Sequence, residues 1–135
     1  MTLIAINVLL EPDAATVEKA KAINARLREN YPASFPLDAN HAPHITILQL
    51  FINTVDLGQV AAAISNVLRS EQLINIKGKA TGYLELASEN LKLVGFHIEA
   101  TPYQHELQQK IIAATAPFAV KYGTGDAFAP RLDAE

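Results

Sequence analysis

A strand–turn–helix pattern occurs twice in this chain, and it constrains the fold more than any other feature of the sequence. In the first copy, residues 2–10 are rich in Leu, Ile and Val and end before Glu11 and Pro12, which predicts a strand. Apolar residues then recur at spacings of three and four over 14–30, with polar residues between them. That period indicates an amphipathic helix, for which Asp13 is the expected N-cap.

The second copy repeats this order of elements. A strand is predicted over 91–99, and Thr101 begins a capping box, with proline at the first helical position, for a helix over 102–115. A short strand over 118–122 is predicted to follow. The caps Asp13 and Thr101 lie 101 − 13 = 88 residues apart, which indicates an internal repeat. The counterpart of a functional residue in the first copy is therefore expected 88 residues further along the chain.

The segment between the two copies adds two strands and a helix. We predict a strand over 44–52, a helix that begins at an Asp56 cap, and a strand over 73–86 with a bulge at Gly78. A hairpin turn over 87–90 then leads into the second copy. This order of elements predicts an α+β fold with antiparallel sheets.

Composition excludes several classes of protein. The 135 residues suffice for one domain, and 50% of them are hydrophobic, so a packed core is expected without disulfides or metals. The absence of cysteine excludes a disulfide framework, a thiolate zinc site and a cysteine nucleophile. With 11 basic and 14 acidic residues, the chain has no positive field for long duplex DNA, although one pocket for a small or single-stranded phosphate ligand needs few charges.

The first ten residues are apolar but lack the features of a targeting segment. No basic residue precedes the apolar run, no small-residue cleavage site follows it, and it is too short to span a bilayer. We therefore expect a cytoplasmic protein that does not act at a membrane.

His44 and Thr46 are the residues best suited to chemistry. They are two residues apart in a predicted strand, so both side chains leave the same face, about 7 Å apart. Histidine exchanges protons near neutral pH, and a threonine hydroxyl can donate to a phosphoryl oxygen. The loop over 31–43, which contains three prolines, precedes them and could wall a pocket. The same two residues also fit an ordinary solvent-exposed strand start.

The segment from His41 to Thr46, His-Ala-Pro-His-Ile-Thr, resembles the first signature of the 2H phosphoesterase superfamily, Pro-His-x-Thr. This superfamily includes the 2′-5′ RNA ligases and RNA cyclic phosphodiesterases. Its motif lies on the second strand of a strand–helix–strand unit, as it does here. The resemblance implies a two-lobed fold with pseudo-twofold antiparallel sheets flanked by helices, which agrees with the internal repeat.

The resemblance also implies an activity. In the superfamily, two His-x-Thr/Ser motifs face each other across a cleft, one histidine acting as general base and the other as general acid, with no metal or other cofactor. It thereby implies His44 as the proton-transfer group and Thr46 as the ligand of a phosphoryl oxygen. His41 either lines the pocket as a substrate-binding residue or lies in solvent. The implied partners are RNA ends or small cyclic or phosphorylated nucleotides.

The sequence departs from this pattern because it has no second His-x-Thr/Ser. Neither His97 nor His105 is followed by a hydroxyl residue at the required position. The repeat offset instead leads from His44 to 129–133, where Ala-Pro is followed by Arg131. Either the second motif is degenerate and Arg131 binds phosphate, or the chain lacks the strand that carries the motif. If the chain lacks that strand, the expected function is a 2′-5′ RNA ligase or cyclic phosphodiesterase. If the motif is degenerate, the expected function is a non-catalytic nucleotide or RNA-end binding domain.

Overall fold

The computed structural model describes residues 2–73, 76–88 and 91–128. It is an α+β fold, as predicted, whose described part contains two antiparallel two-stranded sheets and three α-helices. The strands are β1 (Leu3–Leu10), β2 (Ile45–Asn53), β3 (Lys79–Ser88) and β4 (Leu91–Glu99), and the helices are α1 (Ala14–Asn30), α2 (Leu57–Leu68) and α3 (Pro102–Thr115).

The sheet formed by β1 and β2 has a bulge that fixes which residues share a face. Val8 pairs with Leu48 and Leu9 pairs with Thr46, so Ile47 is the extra residue on β2. A bulge of this kind breaks the strict alternation of side chains. As a result, Ile47 joins the core, whereas Thr46 remains on the opposite face beside Leu9.

The core lies between this sheet and the helices α2 and α3. Leu107 and Ile111 of α3 are 1% and 2% exposed and pack with Ile47 of β2. The Gln108 side chain also donates a hydrogen bond of 2.8 Å from Nε2 to the Ile47 carbonyl oxygen, which the bulge leaves outside the regular ladder. Eight half-buried side chains complete the cluster: Val8, Leu10, Leu48, Ile64, Val67, Leu68, Leu73 and Ile76.

The strand–turn–helix order that the sequence predicts twice is present in the structure. β1 begins at Leu3 and β4 begins at Leu91, which are 88 residues apart. The helices that follow these strands, and the N-caps of those helices, are separated by the same distance in the sequence. The Asp13 carboxylate accepts a hydrogen bond of 2.8 Å from the Thr16 amide, and Thr101 forms its complete capping box. Both helices therefore begin where the capping chemistry of the sequence indicated.

The chain after α3 returns to the first sheet. In place of the short strand predicted over 118–122, it makes a single antiparallel bridge, in which the Val120 amide donates to the Phe51 carbonyl at 2.8 Å. A short 3-10 turn at Gly125–Ala127 follows, and Ala127 is buried. The segment 120–128 thus lies along the first sheet.

Further local predictions are wrong. β3 begins at Lys79 rather than 73, and its bulge lies between Ala80 and Gly82 rather than at Gly78. Gly78 instead lies close to the Ile98 side chain, since a Cβ at position 78 would be 3.0 Å from Ile98 Cγ2. Helix α2 does begin directly after Asp56, as predicted, but Asp56 makes no capping hydrogen bond, because its backbone at the end of a 3-10 turn is already helical.

The hairpin of β3 and β4 exposes apolar side chains. Tyr83 and Phe96 are paired across its strands with ring centroids 5.5 Å apart, and both are exposed. Tyr83 also borders a shallow cavity of about 370 Å³ with Ile23 and Leu27 of α1. The turn predicted over 87–90 is wrong for Ala87 and Ser88, which belong to β3, and residues 89 and 90 lie outside the described residues.

Candidate functional site

The loop that precedes β2 is attached to α1 by two side chains. Asn24 donates from Nδ2 to the Phe35 carbonyl and accepts from the Leu37 amide through Oδ1, both at 2.9 Å. Arg28, one turn later, donates to the carbonyls of Ser34 and Pro32 at 3.1 and 3.3 Å. These four bonds satisfy loop backbone groups that no strand or helix pairs. Helix α1 thereby positions the chain just ahead of the predicted motif.

His41 lies in a tight turn that this loop forms. Its Nδ1 is 2.9 Å from Asp38 Oδ1, and its ring meets the Phe35 ring edge-to-face at 4.3 Å between centroids. The Asn40 amide donates to the same Asp38 oxygen at 2.9 Å. This amide bond, followed by the bond to His41, holds the pKa of Asp38 below its ordinary value. His41 is half-buried and oriented, with Nε2 making no hydrogen bond within the described residues.

His44 is exposed and lies directly before β2. Its Nδ1 is 2.9 Å from the Ala42 carbonyl oxygen. Because a carbonyl oxygen can only accept, Nδ1 must carry the hydrogen, and the neutral ring then has its lone pair on Nε2. His44 is thus held in the tautomer in which Nε2 is the basic nitrogen.

Thr46 lies on the face of the sheet opposite the helices. It pairs with Leu9, whose strand neighbours Val8 and Leu10 both contact the core. Thr46 is exposed, and its hydroxyl makes no hydrogen bond to any residue that the structure describes. Alternation along the chain puts His44 on this outer face as well. The structure therefore brings the predicted pair together on one accessible surface.

The next residue pair on this outer face was not predicted from the sequence. Asn7 of β1 and Gln49 of β2 are register partners, and both are exposed. They border an open cavity of about 450 Å³ together with Phe51, Phe128 and Lys121. A signal for them does exist, since Asn7 is the one polar residue of β1 and Gln49 has apolar neighbours on both sides in β2, but only the strand register shows that they are side by side.

The remaining candidates lie elsewhere. His97 shares a hydrogen bond of 2.6 Å with Thr81 across β3 and β4, and His105 is exposed on α3. Arg131 lies outside the described residues. In the part of the chain that the structure describes, no three histidine or acidic side chains are grouped so that they could hold a metal ion.

Comparisons with models of known protein families, with curated proteins and with solved structures give no match to this chain. Among the described residues, none of the helices has both the length and the apolar character needed to cross a membrane.

Proposed function

We propose that this chain binds the phosphate of an RNA end or a small nucleotide at His44 and Thr46, in a 2H phosphoesterase-like site on a two-lobed fold. The reaction class is hydrolysis or ligation at a 2′,3′-cyclic phosphate or a 2′-5′ phosphodiester. The observation that carries the proposal is the hydrogen bond from His44 Nδ1 to the Ala42 carbonyl, which leaves Nε2 as an exposed base on the face of Thr46.

The chemistry follows from these two groups. In hydrolysis of a cyclic phosphate, Nε2 of His44 takes a proton as the water oxygen bonds to phosphorus, and one ribose P–O bond breaks. The Thr46 hydroxyl donates to a non-bridging oxygen, where charge accumulates. The departing ribose oxygen takes its proton from the solvent or from the His44 imidazolium.

Titration of ¹⁵N-labelled protein with a nucleoside 2′-phosphate tests this site. We expect the His44 ring resonances to shift and the binding to weaken at least tenfold in His44→Ala. His105→Ala is the matched control, because His105 is also exposed but lies on α3. Unchanged His44 resonances at saturating phosphate would exclude the proposed site.

A non-catalytic binding domain is the second candidate. The observation in its favour is that none of the other three histidines belongs to a His-x-Thr/Ser motif. An assay of 2′,3′-cyclic nucleotide hydrolysis separates the two functions. Turnover that His44→Ala abolishes supports the enzyme, whereas phosphate binding at His44 without turnover supports the binding domain.

A further inference from the structure

Two side-chain amides lie next to each other beyond Thr46. Asn7 and Gln49 are directly opposed in the register of β1 and β2, so their Cβ atoms are about 5 Å apart. Each carries two donors and one acceptor. Within the described residues, neither amide makes a hydrogen bond to another group. Two exposed and uncharged hydrogen-bonding groups thus point into the same open cavity.

An aromatic wall borders these amides. Phe51 and Phe128 pack edge-to-face with ring centroids 5.7 Å apart, and Phe128 is 58% exposed. Gly123 permits this arrangement, because a Cβ at that position would collide with the Phe51 ring. The segment 120–128 can therefore lie against β2 and present Phe128 at the cavity.

We propose that this cavity is a nucleobase pocket for the nucleotide whose phosphate lies at His44 and Thr46, an inference that rests on the proposed function. The Asn7 and Gln49 amides match the donor and acceptor groups on a base edge. Phe128 offers a face on which a base can stack.

The position of the cavity agrees with this role. Thr46–Leu9 and Gln49–Asn7 are neighbouring pairs on the same face of the sheet, about two residues apart along β1. The phosphate and base of one nucleotide therefore lie along one strip of the surface. Carboxamides are uncharged, so this part of the strip suits a base better than a second phosphate. Lys121, at the edge of the cavity, adds one positive charge that favours an anionic ligand.

Binding of three probes tests the pocket: adenosine 2′-phosphate, the same phosphate on a ribose that carries a methyl group in place of the base, and adenosine alone. We expect the base to raise affinity by about tenfold, the size of effect that stacking on an aromatic side chain produces. Asn7→Ala, Gln49→Ala and Phe128→Ala should remove most of that gain without weakening the base-free probe. Gln109→Ala, an exposed amide on α3, is the matched control.

Adenosine alone separates this inference from the proposed function. It should shift the side-chain NH₂ resonances of Asn7 and Gln49, a signal that does not depend on His44. If saturating adenosine leaves these resonances unchanged, or if the base-free probe binds as tightly as the nucleotide, the base pocket is wrong. The phosphate site then still stands wherever the base-free probe shifts His44.

Discussion

At the scale of single residues, the orientation of one imidazole ring determines what the outer face of the first sheet can do. The Ala42 carbonyl that accepts the hydrogen bond from His44 Nδ1–H belongs to the loop before β2, two residues earlier in the chain. A backbone carbonyl of that kind fixes the tautomer of the neutral ring without a carboxylate partner, and the lone pair of that tautomer lies on Nε2. His41, three residues earlier, is oriented instead by the Asp38 carboxylate.

Thr46→Val tests the hydroxyl at this scale. The substitution keeps the β-branched shape in β2 but removes the donor, so we expect phosphate affinity to fall about fivefold to tenfold, the effect of one lost hydrogen bond. The free energy of unfolding should change little because Thr46 is exposed. Thr46→Ser should restore binding, as measured by calorimetry. Equal affinity in the valine and serine variants would show that the hydroxyl does not contact phosphate.

The two residue pairs on this face differ in how far the sequence predicts them. His44 and Thr46 could be paired from the sequence because their proximity is local to one strand. Asn7 and Gln49 could not be paired, since their proximity depends on the register of two strands that are separated by the 34 residues from 11 to 44. The bulge at Ile47 shifts that register by one residue, and nothing local in the sequence marks it.

At the scale of elements, α1 acts on the site through the loop before β2. The Asn24 amide bonds to the backbone on both sides of Pro36, through the Phe35 carbonyl and the Leu37 amide. It thus takes the place of a neighbouring strand for a segment that proline keeps out of a sheet. The helix and its cap were predictable from periodicity, whereas this attachment required the folded loop.

Asn24→Ala should therefore loosen the loop. We expect a loss of about 1–2 kcal/mol in the free energy of unfolding, because two loop hydrogen bonds disappear. Proteolysis between 31 and 43 should become faster, and phosphate binding at His44 should weaken. Asn30→Ala, the same change at the exposed end of α1, is the control and should leave all three quantities near wild type. Equal stability and proteolysis rates in the two variants would contradict the role of Asn24.

A second link between elements joins the chain after α2 to α3. The Glu71 side chain is 5% exposed and accepts hydrogen bonds from Tyr103 Oη at 2.5 Å and Lys110 Nζ at 2.8 Å. The Lys110 bond, followed by the Tyr103 bond, lowers the pKa of Glu71 below its ordinary value of 4.5. The folded state therefore favours the ionised carboxylate more than the unfolded state does.

Protein stability should depend on pH through this carboxylate. A lowered folded-state pKa gives a contribution that is complete above the unfolded pKa and is lost as pH falls through the folded pKa. We expect Glu71→Gln to lower Tm at pH 7 and the difference from wild type to shrink steadily below pH 4.5, the ordinary value for this carboxyl. Glu106→Gln, which removes only the exposed partner of Lys110, should have a smaller effect. A Tm difference that stays constant from pH 7 to pH 3 would contradict this account.

At the scale of the whole molecule, the repeat predicted from the sequence correctly gave the order of strand, cap and helix, but not the path of the chain after α3. The segment that follows this helix bridges to β2 at Phe51, not to β4 of its own repeat copy. Contacts between residues so far apart in the sequence depend on close packing. Here Gly123 allows the segment after α3 to approach Phe51. The sequence shows that residue 123 is a glycine, but it does not show that the Phe51 ring lies against it.

Gly123→Ala tests this connection between the end of the chain and the first sheet. The added methyl group would overlap the Phe51 ring, so the 120–128 segment must move away or the ring must turn. Overpacking of this kind costs about 1–3 kcal/mol. We expect faster hydrogen exchange at the Val120 amide, which donates to the Phe51 carbonyl, and loss of the affinity gained from the base.

Gly125→Ala is the matched control, since nothing lies within 4 Å of a Cβ built there. If both variants exchange the Val120 amide at the wild-type rate, the segment is not held by this contact, and the aromatic wall of the cavity must be fixed by other residues.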